Sequence, residues 1–261
     1  MDMDEVVELR QDGPVLTVVL NRPERHNALT PGLIEQLTAV FQHYAARREI
    51  RVMVLTGNGR SFCAGADLKY MRAAADYDFA ANVSDSKAIF DLMQTINDCP
   101  KPVIGRVNGT AVGGGVGLVS VCDIVVAVER ANFAFSEVRL GIVPAVISPF
   151  VLAKIGVGNG RELFLTGERF DARRAPQIGL VQYVVEEDVL DTAVANRVEQ
   201  LLIAAPNAQA AVKELIRTVA YRPPDDVRDF TANMIAHRRA SDEGREGMTA
   251  FLEKRDPDWR W

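Results

Sequence analysis

A triple glycine, Gly113-Gly114-Gly115, lies between an apolar run with the pattern of a strand and an apolar run with the pattern of a short helix. The first run is Val103 to Val107 and the second is Leu118 to Val121. Because glycine has no Cβ, it lets the backbone approach a ligand closely and adopts angles closed to other residues. A helix start adds unpaired N–H groups and the positive end of the helix dipole. The stretch therefore predicts an anion-binding turn, suited to a phosphate or to an oxyanion.

Short apolar runs alternate with helical stretches along the first two-thirds of the chain. Asp12-Gly13-Pro14 separates two β-rich runs and predicts a hairpin. Thr30-Pro31 predicts a helix start, with threonine as the N-cap and proline at the first helical position. Val52 to Thr56 is nearly all apolar, which is typical of a strand buried on both faces. The repetition of strand and helix indicates an α/β fold with parallel strands and crossover helices.

The middle and the end of the chain contain fewer strand signals. The polar, alanine-rich stretch from Ala73 to Asn82 has weak periodicity, so we expect it to be mobile, with a helix from Ala88 to Ile96. Helical patterns predominate after Ala153, and they include the charged tail from Val227 to Lys254.

The composition excludes several classes of function. The chain has 261 residues, 48% hydrophobic and 25% charged, which suits one large globular domain or a domain with a small appendage. The net charge of −5 provides no basic surface for nucleic acid, and no apolar run is long enough to cross a membrane. Residues 1–5 are acidic and lack the features of a signal peptide. Three widely spaced cysteines and three scattered histidines predict neither disulfides nor a metal site, and they favour the reducing cytoplasm.

Two bends between a strand and a helix carry small residues: the triple glycine, and the stretch from Ser61 to Lys69 that contains Ala66. Two such bends are able to direct two main-chain N–H groups at one carbonyl oxygen, which would form an oxyanion hole. The alternative is a pair of tight turns whose glycines serve only packing, and the local sequence leaves both open. No Gly-Lys-Ser/Thr follows, which excludes a P-loop, and contiguous glycines do not match a dinucleotide fingerprint.

Glu137 is the candidate acid or base. It follows Phe133 to Ser136, and a carboxyl group in such apolar surroundings would have a raised pKa and could transfer a proton. The alternative is a solvated glutamate paired with Arg139. Asp67 is interpreted as a helix cap.

Several motifs, in order along nearly the whole chain, resemble those of the enoyl-CoA hydratase/isomerase (crotonase) superfamily. They are Asn21-Arg22-Pro23 with Asn27-Ala28-Leu29, Phe62 to Lys69, Lys101 to Gly109, Gly113 to Gly115, Cys122-Asp123-Ile124, Glu137 to Pro144, Leu165-Thr166-Gly167 and Glu246 to Arg255. The resemblance implies an α/β spiral of ββα turns with a C-terminal helical trimerisation region. Residues 1–200 would form the spiral core and residues 201–261 the oligomerisation region of a trimer or a dimer of trimers.

The resemblance also implies roles for single residues. The N–H groups of Ala66 and Gly114 would polarise a thioester carbonyl and stabilise the enolate, while Glu137 would transfer the proton. Coenzyme A would enter as part of an acyl-CoA substrate, with no separate cofactor and no metal. The residues expected to contact coenzyme A are Arg25, Ala28, Ala64, Asp67, Leu68, Lys69 and, from a neighbouring subunit, Lys254.

Gly117 departs from the family pattern. Hydratases of this family commonly hold the attacking water between two glutamates, and the first of them maps to this glycine, which cannot activate water. We expect the glycine to free volume beside the reacting carbons. A single remaining acid fits a hydratase, a Δ3–Δ2 enoyl-CoA isomerase, or a catalytically silent protein that binds CoA esters.

The sequences around Gly113, Glu137 and Pro144 resemble those of bacterial proteins associated with methylglutaconyl-CoA hydratase, which serve leucine or isoprenoid breakdown. We therefore predict a cytoplasmic acyl-CoA lyase that hydrates a 2-enoyl-CoA with a branched or carboxylated acyl chain. Neither nucleic acid nor a membrane is expected as a partner.

Overall fold

The strands of the chain form two β-sheets. The computed structural model describes residues 6–74 and 76–260, so the acidic residues 1–5 lie outside the described part. The described strands are β1 (Val7–Asp12), β2 (Val15–Leu20), β3 (Val52–Gly57), β4 (Ser61–Cys63), β5 (Val103–Val107), β6 (Thr110–Val112), β7 (Ile124–Val128), β8 (Asn132–Ala134), β9 (Arg169–Asp171) and β10 (Tyr183–Val185). The described α-helices are α1 (Pro31–Ala45), α2 (Leu68–Ala74), α3 (Phe79–Asn97), α4 (Gly114–Ser120), α5 (Ser148–Thr166), α6 (Arg174–Gln177), α7 (Leu190–Leu202), α8 (Pro206–Val219), α9 (Pro224–Ala240) and α10 (Asp242–Glu253).

The two sheets are built by a repeated unit. The larger sheet has the order β1-β2-β3-β5-β7-β10 and the smaller one β4-β6-β8-β9. Along the chain β3, β5 and β7 enter the larger sheet, and each is followed directly by a strand of the smaller sheet and then by a helix. Within each sheet these strands are parallel. This is the spiral of ββα turns, and the predicted fold class is confirmed.

The hairpin, the start of the first helix and the buried strand that the local sequence predicted are all present at the beginning of the spiral. β1 and β2 pair as an antiparallel hairpin, with Gly13 at φ 51° in the turn. The side chain of Thr30 accepts a hydrogen bond from the N–H of Leu33 at 3.4 Å and caps α1, which begins at Pro31. β3 is buried along its whole length, as expected for a strand covered on both faces.

The start of α3 differs from the prediction. The helix begins at Phe79 rather than at Ala88, because Asp78 caps it and accepts a hydrogen bond from the N–H of Ala81 at 2.8 Å. The first half of α3 is largely exposed, so its sequence shows little apolar periodicity, although the cap is sufficient to start the helix there. Part of the segment expected to be mobile is therefore helical.

The two bends with small residues lie against each other. A Cβ added to Gly115 would be 2.1 Å from the carbonyl oxygen of Cys63, at the end of β4. A Cβ added to Gly65, which has φ +85°, would be 2.6 Å from the carbonyl oxygen of Val112. Since both obstacles are backbone atoms, only glycine allows the bends to approach this closely.

The C-terminal part consists of α8, α9 and α10, followed by a short extended end. The indole N–H of Trp259 donates to the carbonyl oxygen of Ile203 at 3.3 Å and holds this end against the body, while Trp261 lies outside the described residues. The predicted boundary at residue 200 stays a prediction. None of the helices in the described ranges has the length and apolar character needed to cross a membrane.

Gly115→Ala tests whether the close approach of the bends is required. We expect the free energy of unfolding to fall by about 3 kcal/mol, because a methyl group has no room beside a backbone carbonyl. Gly158→Ala in α5 is the matched control, since nothing lies within 4 Å of its added Cβ. Urea unfolding monitored by circular dichroism measures both, and equal midpoints for the two variants would contradict the argument.

Candidate active site

The orientation of Ala66 is determined by a short bridge to Leu29. The N–H of Leu29 donates to the carbonyl oxygen of Gly65 at 2.7 Å, and the N–H of Asp67 donates to the carbonyl oxygen of Leu29 at 2.9 Å. In a parallel bridge of this kind, the residue between the two bonded neighbours points its own N–H to the other side. The N–H of Ala66 accordingly donates to no other residue in the described ranges.

Gly114 provides a second free N–H group. It is the first residue of α4, where the N–H groups of a helix have no intrahelical partner. Gly113 precedes it at φ 51° and ψ −118°, and its own N–H donates to the carbonyl oxygen of Ala134 at 2.8 Å. The N atom of Gly114 lies 3.5 Å from the Cβ position of Gly65, so the two bends place the free N–H groups of Ala66 and Gly114 close together.

Both groups line one cleft of about 610 Å³. One wall of the cleft comes from α2 and α3, and another comes from the segment 141–147 that precedes α5. Side chains around the two bends and in this segment include Leu29, Glu137, Ile142 and Ile147. The cleft is thus a mostly apolar space with a pair of hydrogen-bond donors and a carboxyl group in its lining, which is typical of a small-molecule site.

Glu137 lies in a 3-10 turn, Ser136–Leu140, directly after β8. Its Oε1 atom would be 2.9 Å from a Cβ on Gly113, so the carboxyl group packs on the glycine turn. Its Oε2 atom is buried and has no hydrogen-bond partner in the described part of the chain. Burial raises the pKa of Glu137 above its ordinary value, and the residue's own N–H opposes this shift only in part.

The alternative interpretation of Glu137 does not match the structure. Arg139 turns away, and its Nε donates to the carbonyl oxygen of Thr166 at 3.3 Å. The carboxyl group of Glu137 is therefore an unpaired acid inside the cleft rather than one half of a surface ion pair.

The expectation that Gly117 frees volume is wrong. A Cβ at this position would lie 2.6 Å from Cγ2 of Ile147 and 3.1 Å from Cε of Met93. The space that a side chain at position 117 would occupy is filled by apolar groups from two other segments. The reason is that packing fills voids with neighbouring side chains, which a local sequence pattern does not reveal.

Apart from Lys254, the predicted coenzyme A contacts lie on the segments that contain the cleft residues Leu29 and Ala66, but none of them is in the cleft lining. The N–H of Ala64 donates to the carbonyl oxygen of His26 at 2.9 Å, which joins the loop from Arg25 to Ala28 to the bend from Ala64 to Lys69. Arg25, Leu68 and Lys69 are exposed, whereas Ala28 is buried. Asp67 caps α2 as predicted, because Oδ1 accepts from the N–H of Lys69 at 2.9 Å.

Lys254 lies apart from these residues, at the exposed C-terminal end of α10. The structure does not bring it to the cleft of its own chain. Its predicted role toward a neighbouring subunit stays a prediction.

Sequence reasoning missed the residue that holds the loop in place. Asn27 is fully buried at φ 56°, a backbone conformation that asparagine tolerates better than most residues. Its side chain accepts from the N–H of Arg22 at 2.9 Å and donates to the carbonyl oxygens of Ser61 and Phe62 at 2.9 and 3.1 Å. Asn27 therefore ties the loop to β4. Its place in the motif that begins at Asn21 was the available signal.

Two polar residues of the cleft wall were also missed. Tyr70 on α2 has a buried hydroxyl group without a hydrogen-bond partner among the described residues, and Asp85 lies on the early part of α3. Asp85 lies in the part of α3 that was not predicted to be helical. No cluster of three or more metal-binding side chains occurs within residues 6–74 and 76–260.

Comparison with known proteins identifies the family of this chain. The family model for enoyl-CoA hydratase/isomerase matches residues 10–261. A putative enoyl-CoA hydratase of Thermus thermophilus is 33% identical over 247 residues, which cover 95% of this chain and 98% of that protein. Carnitinyl-CoA dehydratase of Citrobacter koseri is 35% identical over 266 residues, covering 99% of each protein.

Solved structures show the same fold. An enoyl-CoA hydratase from Shewanella pealeana is 38% identical with a TM-score of 0.94, covering 97% of this chain and 96% of that one. Pseudomonas aeruginosa AtuE is 36% identical with a TM-score of 0.94, covering 98% of this chain and all of that one. The spiral fold and the cleft define a crotonase-type protein. The chain belongs to the enoyl-CoA hydratase/isomerase family, and it is an enzyme of the hydratase type.

Proposed function

We propose that this enzyme hydrates 2-enoyl-CoA thioesters, with Glu137 as the acid and base and with the N–H groups of Ala66 and Gly114 as the oxyanion hole. One observation carries the proposal. Two free N–H groups and a buried, unpartnered carboxyl oxygen line the same cleft. Hydrogen-bond donors that converge on one oxygen stabilise the charge of an enolate, and a carboxyl group whose pKa is raised by burial is suited to proton transfer.

The proposed reaction adds water across the double bond next to the thioester. The thioester oxygen accepts hydrogen bonds from both N–H groups, which draw electron density away from Cβ of the acyl chain. The oxygen atom of water bonds to Cβ while Glu137 accepts one of its protons. Negative charge develops on the thioester oxygen, and the proton then moves to Cα to complete the 3-hydroxyacyl product. Each N–H group of such a site contributes about 10²–10³-fold to the rate.

The names of the relatives favour water addition or removal. The proteins compared above are named as enoyl-CoA hydratases and as a carnitinyl-CoA dehydratase. One observation favours the second candidate, a Δ3–Δ2 enoyl-CoA isomerase. With Ile147 and Met93 packed against Gly117, no second carboxyl group is available there to hold a water, and isomerisation needs only one proton carrier. The third alternative, a silent CoA-ester-binding protein, is not proposed, because the comparisons show an enzyme of the hydratase type.

The remaining details of the substrate are also proposals. Coenzyme A would enter as part of the substrate, so no separate cofactor is required, and the exposed cations Arg25 and Lys69 beside the cleft suit its phosphates. A branched or carboxylated acyl chain, a role in leucine breakdown and a cytoplasmic location stay predictions. The charge of the acyl chain is considered in the next section.

Glu137→Gln tests the assignment of the acid and base. We expect kcat for crotonyl-CoA hydration to fall by about 10²–10⁴-fold, because the amide cannot carry the proton, while the affinity for the CoA ester is retained. Loss of enoyl absorbance with mass-spectrometric detection of the 3-hydroxyacyl product measures the reaction. Glu129→Gln, at an exposed glutamate, is the control.

The same assay separates the hydratase from the isomerase. A 3-enoyl-CoA that becomes a 2-enoyl-CoA without a hydroxyacyl product indicates the isomerase. Binding of CoA esters without any reaction would contradict both proposals. Full turnover by Glu137→Gln would show that this carboxyl group is not the proton carrier.

Gly114→Pro removes one proposed oxyanion donor. Proline is tolerated at the first position of a helix, so α4 should still form, while the N–H group is lost. Gly114→Ala is the matched control, because it adds a Cβ beside Leu29 at 2.8 Å but keeps the N–H. We expect the proline variant to lose about 10²-fold more kcat than the alanine variant. Equal activities in two folded variants would exclude this donor.

We further propose that the C-terminal helices form an interface between subunits, in a trimer or a dimer of trimers. On α10, Phe251 and Leu252 are 83% and 79% exposed, and Met248 is also exposed. Such a cluster of apolar side chains is typical of an interaction surface. Sedimentation should give a multiple of 28.7 kDa, and Phe251→Asp with Leu252→Asp should reduce it. A monomer of the unmodified protein would contradict the proposal.

A further inference from the structure

The charge in the cleft has one sign. Among the described residues that line it, Glu137 and Asp85 are acidic, and none is lysine, arginine or histidine. Glu137 is accounted for by the proposed chemistry. The proposed chemistry gives no role to Asp85, which lies on α3 rather than on either of the two glycine bends.

Asp85 is partly buried, and no side chain of opposite charge pairs with it in the described part of the chain. No salt bridge and no hydrogen bond of its side chain occurs within the described ranges. On α3 the polar residues Asn82 and Ser86 and the apolar Ile89 also contribute to the wall of the cleft. The buried hydroxyl group of Tyr70, on the adjacent α2, likewise has no hydrogen-bond partner among residues 6–74 and 76–260. Burial raises the pKa of Asp85, as expected for a carboxyl group held in a cleft without a cation.

This part of the cleft is placed to hold the acyl group rather than the nucleotide. The predicted coenzyme A contacts in the loop at Arg25 and the bend at Ala64 to Lys69 do not line it. With the thioester oxygen at Ala66 and Gly114, the space enclosed by α2, α3 and the segment 141–147 is left for the acyl chain.

We propose that Asp85 is a specificity-determining residue, which makes the site select enoyl-CoA substrates whose acyl chain carries a cationic or hydrogen-bond-donating group and reject those whose chain carries a carboxylate. The inference rests on the proposed function, whose substrate class it narrows. It argues against the carboxylated chain expected from local sequence resemblance. A carboxylate in this cleft would face two acids and no cation, whereas a cation would find a counter-charge.

The electrostatic reason is the low effective dielectric constant of a partly buried cleft. Two like charges a few ångströms apart interact there much more strongly than in water, and a group that leaves water must be compensated by a partner. Asp85 and the free hydroxyl group of Tyr70 are such partners for a donor or a cation. They offer no comparable compensation to a carboxylate on the acyl chain.

The test compares acyl chains that differ only in the charge at their end. Saturated acyl-CoA esters ending in a trimethylammonium, a methyl or a carboxylate group are bound to the full-length protein and measured by calorimetry. The corresponding 2-enoyl-CoA esters are assayed for hydration. For the unmodified protein we expect affinity and kcat/KM to be highest for the cationic chain and lowest for the carboxylated one.

Asp85→Asn should change the ratio between the charged chains. We expect the preference for the cationic over the carboxylated acyl chain to fall by about tenfold or more. The substitution removes the negative charge of Asp85, which attracts the cationic chain and repels the carboxylated one. Asp91→Asn, also on α3 but exposed and outside the cleft lining, is the control and should leave the ratio unchanged.

The outcomes separate this inference from the proposed function. If no enoyl-CoA is hydrated but binding still follows the charge of the chain, the proposed reaction fails and the role of Asp85 stands. The inference about Asp85 would be overturned if the three acyl chains bound equally, or if Asp85→Asn left the ratio between the cationic and the carboxylated chain unchanged. A uniform loss of kcat on all chains would also overturn it, because Asp85 would then take part in proton transfer.

Discussion

The site depends on the contact between two backbone bends that no side chain separates. The Cβ position of Gly115 lies 2.1 Å from the carbonyl oxygen of Cys63, and that of Gly65 lies 2.6 Å from the carbonyl oxygen of Val112. Both distances are shorter than any real Cβ contact, so residues with side chains would push β4 and α4 apart. Because each bend leads into a helix, their contact also brings together N–H groups that secondary structure leaves unpaired.

The chemistry of the cleft follows from this contact. The bridge to Leu29 turns the N–H of Ala66 away from the sheet, and the start of α4 leaves the N–H of Gly114 free. The same glycine turn is bonded to Ala134, three residues before Glu137, so the carboxyl group is held beside the donors. Burial there raises the pKa of Glu137. Donors and acid thus lie in one cleft through backbone geometry rather than through side-chain hydrogen bonds.

Local sequence signals predicted much of the fold. Thr30 caps α1, the hairpin turns at Gly13, and the apolar run at β3 is a buried strand, because each depends on a few neighbouring residues. The start of α3 was missed for a reason of the same kind. A helix that is mostly exposed needs a cap such as Asp78 but no continuous apolar stripe, so periodicity alone placed its beginning too late.

Prediction was weaker where distant segments meet. Asn27 is not recognisable as a structural residue until β4 lies beside it and supplies the carbonyl groups that its side chain bonds. Gly117 was expected to open space, but Ile147 and Met93 fill it from two other parts of the chain. The predicted roles at coenzyme A, and that of Lys254 above all, depend on a bound ligand or a second subunit.

The sequence by itself determined which groups exist: glycines where backbones meet, one glutamate after β8, and no acid at position 117. Such features are local, because a missing Cβ or a missing carboxyl group is a property of one residue. Only the tertiary structure decided that apolar side chains fill the space beside Gly117, and that Asp85 and Tyr70 line the same cleft as Ala66 and Gly114. The physical reason is close packing, which sets the neighbours of every group through segments far apart in the chain.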